Sequence, residues 1–324
     1  MAIDRALIYG YVFGRSERAE AVKSRGVQEW QPGSGWLWVH LDRTSDQTTK
    51  WLHDSAHLDP LAIEALLAEE PRPRCVAIGD GLLIILRGVN LNVGADPEDM
   101  VSIRMWIDAN RVISLRARKL MAASDLRDAI ERGDAPASPG ALLVEIAGLL
   151  IYRMGPVLDT LNDAVDEVEV SVLDSPSQEL RSKLSRLRRQ AISLRRFLAP
   201  QREVIARLQT ERTRLLSDLN RSVLREVADR LTRYIEELDS ARDRAAVTQE
   251  ELGGRISDQM NKNMYLLSIV AGVFLPLGLL TGLLGINVGG IPGVDNPWAF
   301  WIVCAGLVAL SGAAYMLFRR YNLL

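Results

Sequence analysis

Two uncharged runs near the C-terminal end determine the architecture of this chain. The first reads MYLLSIVAGVFLPLGLLTGLL from Met264 to Leu284, and the second reads NPWAFWIVCAGLVALSGAAYMLF from Asn296 to Phe318. Each has about 20 residues, the length that crosses a hydrocarbon core of ~30 Å as a helix. The sequence therefore predicts two transmembrane helices, residues 264–286 and 296–318, joined by an outer link over residues 287–295.

The flanking charges predict the orientation of this hairpin. Arg255 and Lys262 precede the first run, Arg319 and Arg320 follow the second, and the link contains neither lysine nor arginine. Basic residues concentrate on the cytoplasmic side of membrane proteins. We therefore expect both chain ends, including the tail over residues 319–324, to be cytoplasmic and the link to face outwards.

The overall composition narrows the choice of partners and compartment. The chain has 324 residues and a net charge of −2, so its bulk charge argues for neither nucleic acid nor acidic lipid as a partner. Its two cysteines, Cys75 and Cys304, lie far apart and suggest no disulfide framework. The N-terminal residues lack the basic and apolar regions of a signal peptide, so we expect the C-terminal runs to direct insertion into the lipid bilayer.

Residues 1–138 have the pattern of a cytoplasmic α+β domain with a mixed sheet. Short runs rich in β-branched and aromatic residues predict six strands between helices, at Ala6–Phe13, Trp36–Leu41, Cys75–Ile78, Leu82–Arg87, Val101–Ile107 and Arg111–Leu115. Asp59 and Pro60 predict the cap and first turn of a helix over Leu61–Glu69.

Residues 139–221 change to a helical pattern with segregated charge. Two long antiparallel helices are predicted, Ala141–Asp174 and Gln178–Ser217, of which the first ends in acidic residues and the second is rich in arginine. We expect the two to neutralise each other. Aromatic residues do not alternate with the arginines as they do in nucleic-acid-binding segments.

A stalk helix is predicted over residues 222–263. Apolar residues recur there at alternating spacings of three and four, which is typical of a seam between packed helices, here expected between subunits: Leu224, Val227, Leu231, Tyr234, Leu238, Ala241, Ala245, Thr248 and Leu252. No proline occurs between Ser222 and Pro276, so one helix could continue into the first span. Gly253 and Gly254 are the weak point, either a hinge or a site of close helix approach.

The start of the link resembles a known family signature. The triplet Gly285-Ile286-Asn287 is similar to the Gly-x-Asn motif of the CorA superfamily of divalent-cation transporters, and its extension to Gly293 resembles the zinc-transporting ZntB branch. The similarity extends through the stalk and into the N-terminal domain. It implies a homopentameric funnel in a bacterial-type inner membrane, with the first span lining the pore.

The resemblance also implies roles for particular residues. A ring of Asn287 amides beside Gly285 and Ile286 would receive a hydrated cation at the pore mouth, where Asp295 would concentrate cations. Capping roles for the asparagine and the aspartate are the alternatives. The expected pore-lining residues recur at helical spacing: Asn261, Met264, Ser268, Ala271, Leu275, Gly278 and Gly282.

Metal ligands outside the pore are few. His53 and His57 are spaced to share a helix face, with His40 and Cys75 in the same domain. Glu226 and Asp229 match the stalk region where the magnesium branch places regulatory acids, although pairing with Arg225 and Arg230 is the favoured alternative. No cofactor is implied, and zinc enters only as the transported ion.

The resemblance implies a transporter of zinc and other divalent cations that works by proton-linked uptake, with export as the alternative direction. Two alternatives stay open: a magnesium, cobalt or nickel channel of the CorA type, and a membrane-anchored metal-sensing scaffold that conducts nothing. The sequence contains no phosphate-binding loop and no evident set of catalytic residues, so an enzyme is not expected.

Overall fold

The structure is a computed structural model that describes residues 3–14, 18–174, 177–211, 213–286, 293 and 296–320. Within these ranges the chain divides into two compact units, Met1–Glu250 and Glu251–Leu324. The first unit contains a mixed α+β domain and a bundle of long helices, and the second contains the two apolar helices.

The α+β domain is built on a seven-stranded mixed sheet of order β2-β1-β3-β7-β6-β5-β4. The pairing of β3 with β7 is parallel, and every other pairing is antiparallel. The strands are β1 (Leu7–Phe13), β2 (Glu20–Ala21), β3 (Trp36–Asp42), β4 (Arg74–Ile78), β5 (Gly81–Gly88), β6 (Val101–Ile107) and β7 (Arg111–Arg116). All six predicted strands are confirmed, and the two-residue edge strand β2 was not predicted.

Period-two alternation directs the strand residues to two separate cores. On β3, Leu37, Val39 and Leu41 join a cluster with the helices of one face, whereas Trp38 and His40 face the opposite side. The helices of the first face are α1 (Ser24–Glu29), α2 (Asp46–Asp54) and α3 (Pro60–Leu67). Asp59 caps α3 as predicted, because its Oδ1 accepts a hydrogen bond of 2.8 Å from the Leu61 amide.

Longer helices follow the sheet: α4 (Met121–Arg132), α5 (Pro139–Tyr152), α6 (Gly155–Asp174), α7 (Gln178–Thr210) and α8 (Asp218–Leu284). The single helix predicted over Ala141–Asp174 is divided at Arg153 and Met154, and the helix predicted to reach Ser217 ends at Thr210. The stalk helix begins at Asp218 and continues without interruption into the first apolar run.

A buried glutamine attaches α7 to the sheet. Strand β4 ends its pairing opposite Ile85, which leaves the next backbone groups of β5 without a strand partner on that side. The Gln201 side chain fills this position: its Oε1 accepts from the Arg87 amide at 2.6 Å, and its Nε2 donates to the Arg87 carbonyl at 3.0 Å. The Gln201 side chain thus pairs both backbone groups of Arg87. Burying these groups without hydrogen-bond partners would reduce the free energy of unfolding.

Helices α6, α7 and α8 form a three-helix bundle within the first unit. Helix α7 is antiparallel to α8: Gln209 contacts the Leu224 carbonyl, Arg195 lies 2.7 Å from Asp239, and Gln249 contacts Ser185. Helix α6 is parallel to α8 and is joined to it by Arg244, whose guanidinium binds Glu169 and Asp166. The acidic end of α6 is therefore matched mainly by α8, with Lys183 of α7 pairing only Glu167.

The seam on α8 is buried within a single chain. Leu224, Leu231, Leu238 and Ala245 are each fully buried, and Thr248 and Leu252 are also buried. The expectation that this seam joins subunits is wrong, because α6 and α7 of the same chain cover it. The heptad spacing specified helix packing correctly but did not identify the partner helix.

We predict that Leu238→Ala destabilises the protein by about 2–5 kcal/mol, because it leaves a cavity in the seam. The measurement is thermal unfolding of the purified full-length protein. Val247 lies on the same helix and is 65% exposed in the chain, so Val247→Ala is the matched control and should change stability by less than ~0.5 kcal/mol. An unchanged melting temperature for Leu238→Ala would contradict the buried seam.

Candidate ion pathway

The second unit contains the residues expected to form the ion pathway. In it, α8 continues to Leu284 and α9 extends over Ala299–Arg320. Three described helices are long and apolar enough to cross a membrane, namely α8, α9 and the stretch Pro139–Asp174. The apolar window of Pro139–Asp174 is 56% buried within the protein, whereas those of α8 and α9 are not buried at all. Burial therefore assigns Pro139–Asp174 to the protein core and leaves α8 and α9 as the lipid-length helices.

Most of the predicted pore-lining stripe is uncovered in the single chain. Asn261, Met264, Ser268, Leu275, Gly278 and Gly282 are exposed, and only Ala271 is half-buried. A side chain at Gly278 or Gly282 would meet no atom within 4 Å. Neighbouring positions such as Leu267 and Leu279 are equally exposed, so exposure alone does not distinguish this stripe. Its pore-lining role stays a prediction.

The polar groups of the span are satisfied locally. The Ser268 hydroxyl donates to the Met264 carbonyl at 2.9 Å, and the Thr281 hydroxyl donates to the Leu277 carbonyl at 2.9 Å. Helix α8 ends with the Gly285 amide donating to the carbonyls of Thr281 and Gly282. Backbone and hydroxyl groups are thereby paired inside the helix, as an apolar surrounding requires.

The outer link is described only in part. Ile286 is 50% exposed, and Asn287 and Asp295 lie outside the described residues, so their roles at the entrance stay predictions. At the start of α9, Asn296 Oδ1 accepts from the Trp298 amide at 2.9 Å. This bond forms a turn immediately before α9, which begins at Ala299.

The two histidines predicted as a pair do not share a helix face. Helix α2 ends at Asp54, and the backbone at His57 is left-handed with φ 49°, so His57 lies beyond the helix that contains His53. Both side chains are exposed. Among the described residues, no group of three or more His, Cys, Asp or Glu side chains is arranged to hold a metal ion.

The other candidate ligands are also poorly suited to a metal. Cys75 is buried, and burial raises the pKa of its thiol to about 11, which disfavours the thiolate. Glu226 and Asp229 are exposed on α8, and within the described chain neither lies within 4.0 Å of a cationic group. The expected pairing with Arg225 and Arg230 is therefore not observed.

His40 is enclosed by the sheet and the helix layer that covers it. Its Nδ1 lies 2.8 Å from Ser114 Oγ, its ring stacks on Tyr9 at 4.7 Å, and its Nε2 has no partner. Burial, and secondarily the positive charge of Arg116, lowers the pKa of His40 to about 3. The imidazole is therefore neutral in the folded protein and inaccessible to a transported ion.

We predict that His40 makes the protein sensitive to acid. Below pH ~6.5 the unfolded chain protonates this histidine while the folded chain does not, so folding loses roughly 1.4 kcal/mol per pH unit until the folded-state pKa near 3 is reached. Melting temperature measured against pH should fall less steeply in His40→Gln. Parallel curves for the two proteins between pH 6.5 and pH 4 would contradict a buried neutral His40.

Sequence and structure comparisons extend these observations. An α+β domain, a helical bundle and two exposed helices of bilayer length define the class of integral membrane proteins with a large soluble part. Residues 33–320 match the family model described as "CorA-like Mg2+ transporter protein". The chain belongs to the CorA family of divalent-cation transporters, as the Gly-x-Asn resemblance predicted.

Individual relatives cover nearly the whole chain. It is similar to the divalent cation transporter CmaX of Pseudomonas aeruginosa, with 41% identity over 98% of this chain and 96% of the relative. It is also similar to the zinc transport protein ZntB of Pectobacterium carotovorum, with 36% identity over 87% of this chain and 86% of that protein.

Solved structures agree with the fold. The structure of full-length CmaX matches with a TM-score of 0.85 and 41% identity over 98% of both chains. The CorA magnesium transporter of Methanocaldococcus jannaschii matches with a TM-score of 0.81 over 96% of this chain and 97% of that one. Because the sequence identity is 19%, this second match supports the fold only.

Proposed function

We propose that this divalent-cation transporter carries zinc, along with other divalent cations, through the central pore of a homopentamer. The observation that carries the proposal is the similarity to ZntB over 87% of the chain, together with the Gly285-Ile286-Asn287 link that resembles the ZntB branch. In the proposed arrangement both chain ends are cytoplasmic, and the link is the outer entrance.

Exposure of the apolar helices supports assembly of several copies. Two helices cannot enclose an aqueous path, so one chain alone provides no pore. The segment of α8 from Met264 to Leu284 has no fully buried side chain in the single chain. Neighbouring copies and lipid would cover it, with α8 facing the pore and Met264 and Leu275 forming apolar constrictions.

The chemistry of the spans supports passage of a hydrated ion. The stretches Met264–Leu284 and Asn296–Phe318 contain no histidine, aspartate or glutamate. Cys304 is the single cysteine in these stretches, and a dehydrated zinc ion would require several such ligands, whereas a ring of Asn287 amides can hold an ion through its water shell. Uptake is favoured energetically, since an inside-negative potential of 100 mV drives a divalent cation inwards by roughly 4.6 kcal/mol.

A less selective channel is the second candidate. The relative with 41% identity is described as a divalent cation transporter without a named metal, and the matching family model refers to Mg2+. Proton linkage would also need water or groups outside the spans, because the spans contain no carboxylate or histidine to relay protons. Ion selectivity and proton coupling are therefore the properties to measure first.

We predict zinc uptake into liposomes that contain the purified protein, increased by an inward proton gradient and reduced at least tenfold in Asn287→Ala. The reduction follows because the variant removes the ring of amide oxygens that receives the hydrated ion. Uptake is followed with a zinc-sensitive dye inside the vesicles, and magnesium is measured in parallel.

The exposed, separate histidines provide a matched control for this assay. His53→Ala combined with His57→Ala should leave zinc flux unchanged. Equal zinc and magnesium flux, indifferent to the proton gradient, would favour the less selective channel. Absence of flux for every ion would support the non-conducting scaffold.

We also predict that the double variant Gly253→Ala, Gly254→Ala transports ions more slowly and has a higher melting temperature. A Cβ at either position meets no atom within 4 Å of the described chain, so the substitutions cause no clash. Each removes a glycine from a helix interior, which is worth roughly 1 kcal/mol in helix propensity. If these glycines are a hinge, flux falls in the double variant. Faster or unchanged flux in a stabilised protein would exclude the hinge.

A further inference from the structure

An open cleft of about 1250 Å³ lies within the first unit, where strands β3, β5 and β7 begin and β6 ends. Helix α2, the β4–β5 turn, the β6–β7 turn and the segment that joins α7 to α8 contribute to its walls. Small-molecule sites in proteins have volumes of roughly 300–1,000 Å³, so this cleft has room for a small organic molecule. The described residues that line it include none of those expected in the ion pathway.

The buried residues that line the cleft are apolar. Leu37, Trp51, Trp106 and Ile113 are each less than a tenth exposed, because they also belong to the core on one face of the sheet. Trp30 adds a third indole ring to the lining. The faces of indole rings attract organic cations as well as apolar groups. This lining therefore suits a ligand that combines an apolar body with a positive charge.

One buried donor in the cleft has no acceptor. The indole N–H of Trp106 donates to Asp108 Oδ2 at 3.2 Å, and that of Trp30 donates to the Gly35 carbonyl at 3.3 Å. Trp51 is only 5% exposed, and its indole N–H donates to none of the described residues. Because a buried N–H group without a partner is costly, a ligand that presents an oxygen atom to Trp51 would be stabilised there.

The charged side chains of the cleft favour a cation. Asp108 and Glu211 already have arginine partners, at 2.9 Å and 3.6 Å. Asp54 and Asp80 are exposed, and among the described residues neither has a cationic group within 4.0 Å. Arg214 is the one described lining cation without an acid at that distance. The unpaired carboxylates of the lining therefore outnumber its unpaired cations.

We propose that this cleft binds an organic ammonium compound that has an apolar body and an oxygen acceptor. The body would contact Trp106 and Leu37, the acceptor would receive the Trp51 N–H, and the ammonium group would lie beside Asp54 or Asp80. This inference goes beyond the proposed transport and does not depend on it. A side chain of a neighbouring copy is the rival occupant.

The test compares three probes of similar shape on the full-length protein in nanodiscs: tyramine, tyrosol and 4-hydroxyphenylacetate. All three contain a phenol, and their side chains are positive, neutral and negative, respectively. Binding is measured by isothermal titration calorimetry, with the heat from empty nanodiscs subtracted because amines also enter lipid. We expect tyramine to bind at least ~10-fold more tightly than the other two, because bonds between charged groups are stronger than those between neutral ones.

Removing the two unpaired carboxylates should remove this preference. Asp54→Asn combined with Asp80→Asn is expected to weaken tyramine binding at least ~10-fold and to bring it close to that of tyrosol. Asp134→Asn is the matched control and should leave binding unchanged. Asp134 is exposed, lies outside the cleft and has no cationic group within 4.0 Å among the described residues.

A second variant tests the unpaired donor. Trp51→Phe keeps an aromatic ring but removes the indole N–H, so tyramine binding should weaken roughly fivefold. Binding of 2-phenylethylamine, which lacks the hydroxyl acceptor, should be unchanged in the same variant. An equal loss for both amines would contradict the contact assigned to Trp51.

Two further outcomes would overturn the inference. Equal affinity for the three phenols, or full tyramine binding in the Asp54 and Asp80 variant, would indicate adsorption on apolar surface. Binding of no probe would indicate that a neighbouring copy fills the cleft. Because heat is measured without ion flux, the result does not depend on whether the protein transports zinc.

Discussion

One helix, α8, has to be stable in two surroundings, water and an apolar medium. Within the first unit, α8 buries an apolar seam against α6 and α7 and turns charged side chains to water, whereas beyond Met264 it has apolar residues on every side. A helix can make this transition because its backbone hydrogen bonds are internal and do not depend on the surroundings. The polar side chains of the span follow the same rule, since Ser268 and Thr281 bond to carbonyls of their own helix.

Buried cations in the soluble domain are stabilised by carbonyl groups more than by acids. Arg104 is 2% exposed and donates to the carbonyls of Leu66 and Glu69 at the end of α3, and Arg43 donates to the Leu67 carbonyl. Helix ends have unpaired carbonyls and a negative partial charge, which offset part of the cost of burying a guanidinium. Burial still lowers the pKa of Arg104 to about 10.

Patterns that depend on local sequence predicted the structure well. The period-two alternation of apolar residues predicted the strands, and the Asp59-Pro60 pair predicted the start of α3. The length of the uncharged runs predicted the apolar helices. Properties that depend on a distant partner were missed. The α8 seam has a heptad spacing whether its partner is another subunit or the same chain, and the left-handed turn at His57 has no signature in the histidine spacing. Gln201 was not predicted either, because a glutamine in a basic helix gives no sign of the strand edge that it meets.

The parallel pairing of β3 with β7 has a consequence for biosynthesis. These strands are about 70 residues apart in the chain, so the sheet cannot close until β7 has been made, and closure of such distant contacts is slow. Every element of the soluble unit nevertheless precedes the first apolar run. Strand β7 ends at Arg116, and the first apolar run begins at Met264, 148 residues later. At about 5–20 residues per second, synthesis of that stretch takes roughly 7–30 s. The sheet therefore has time to form on the ribosome before the apolar helices emerge.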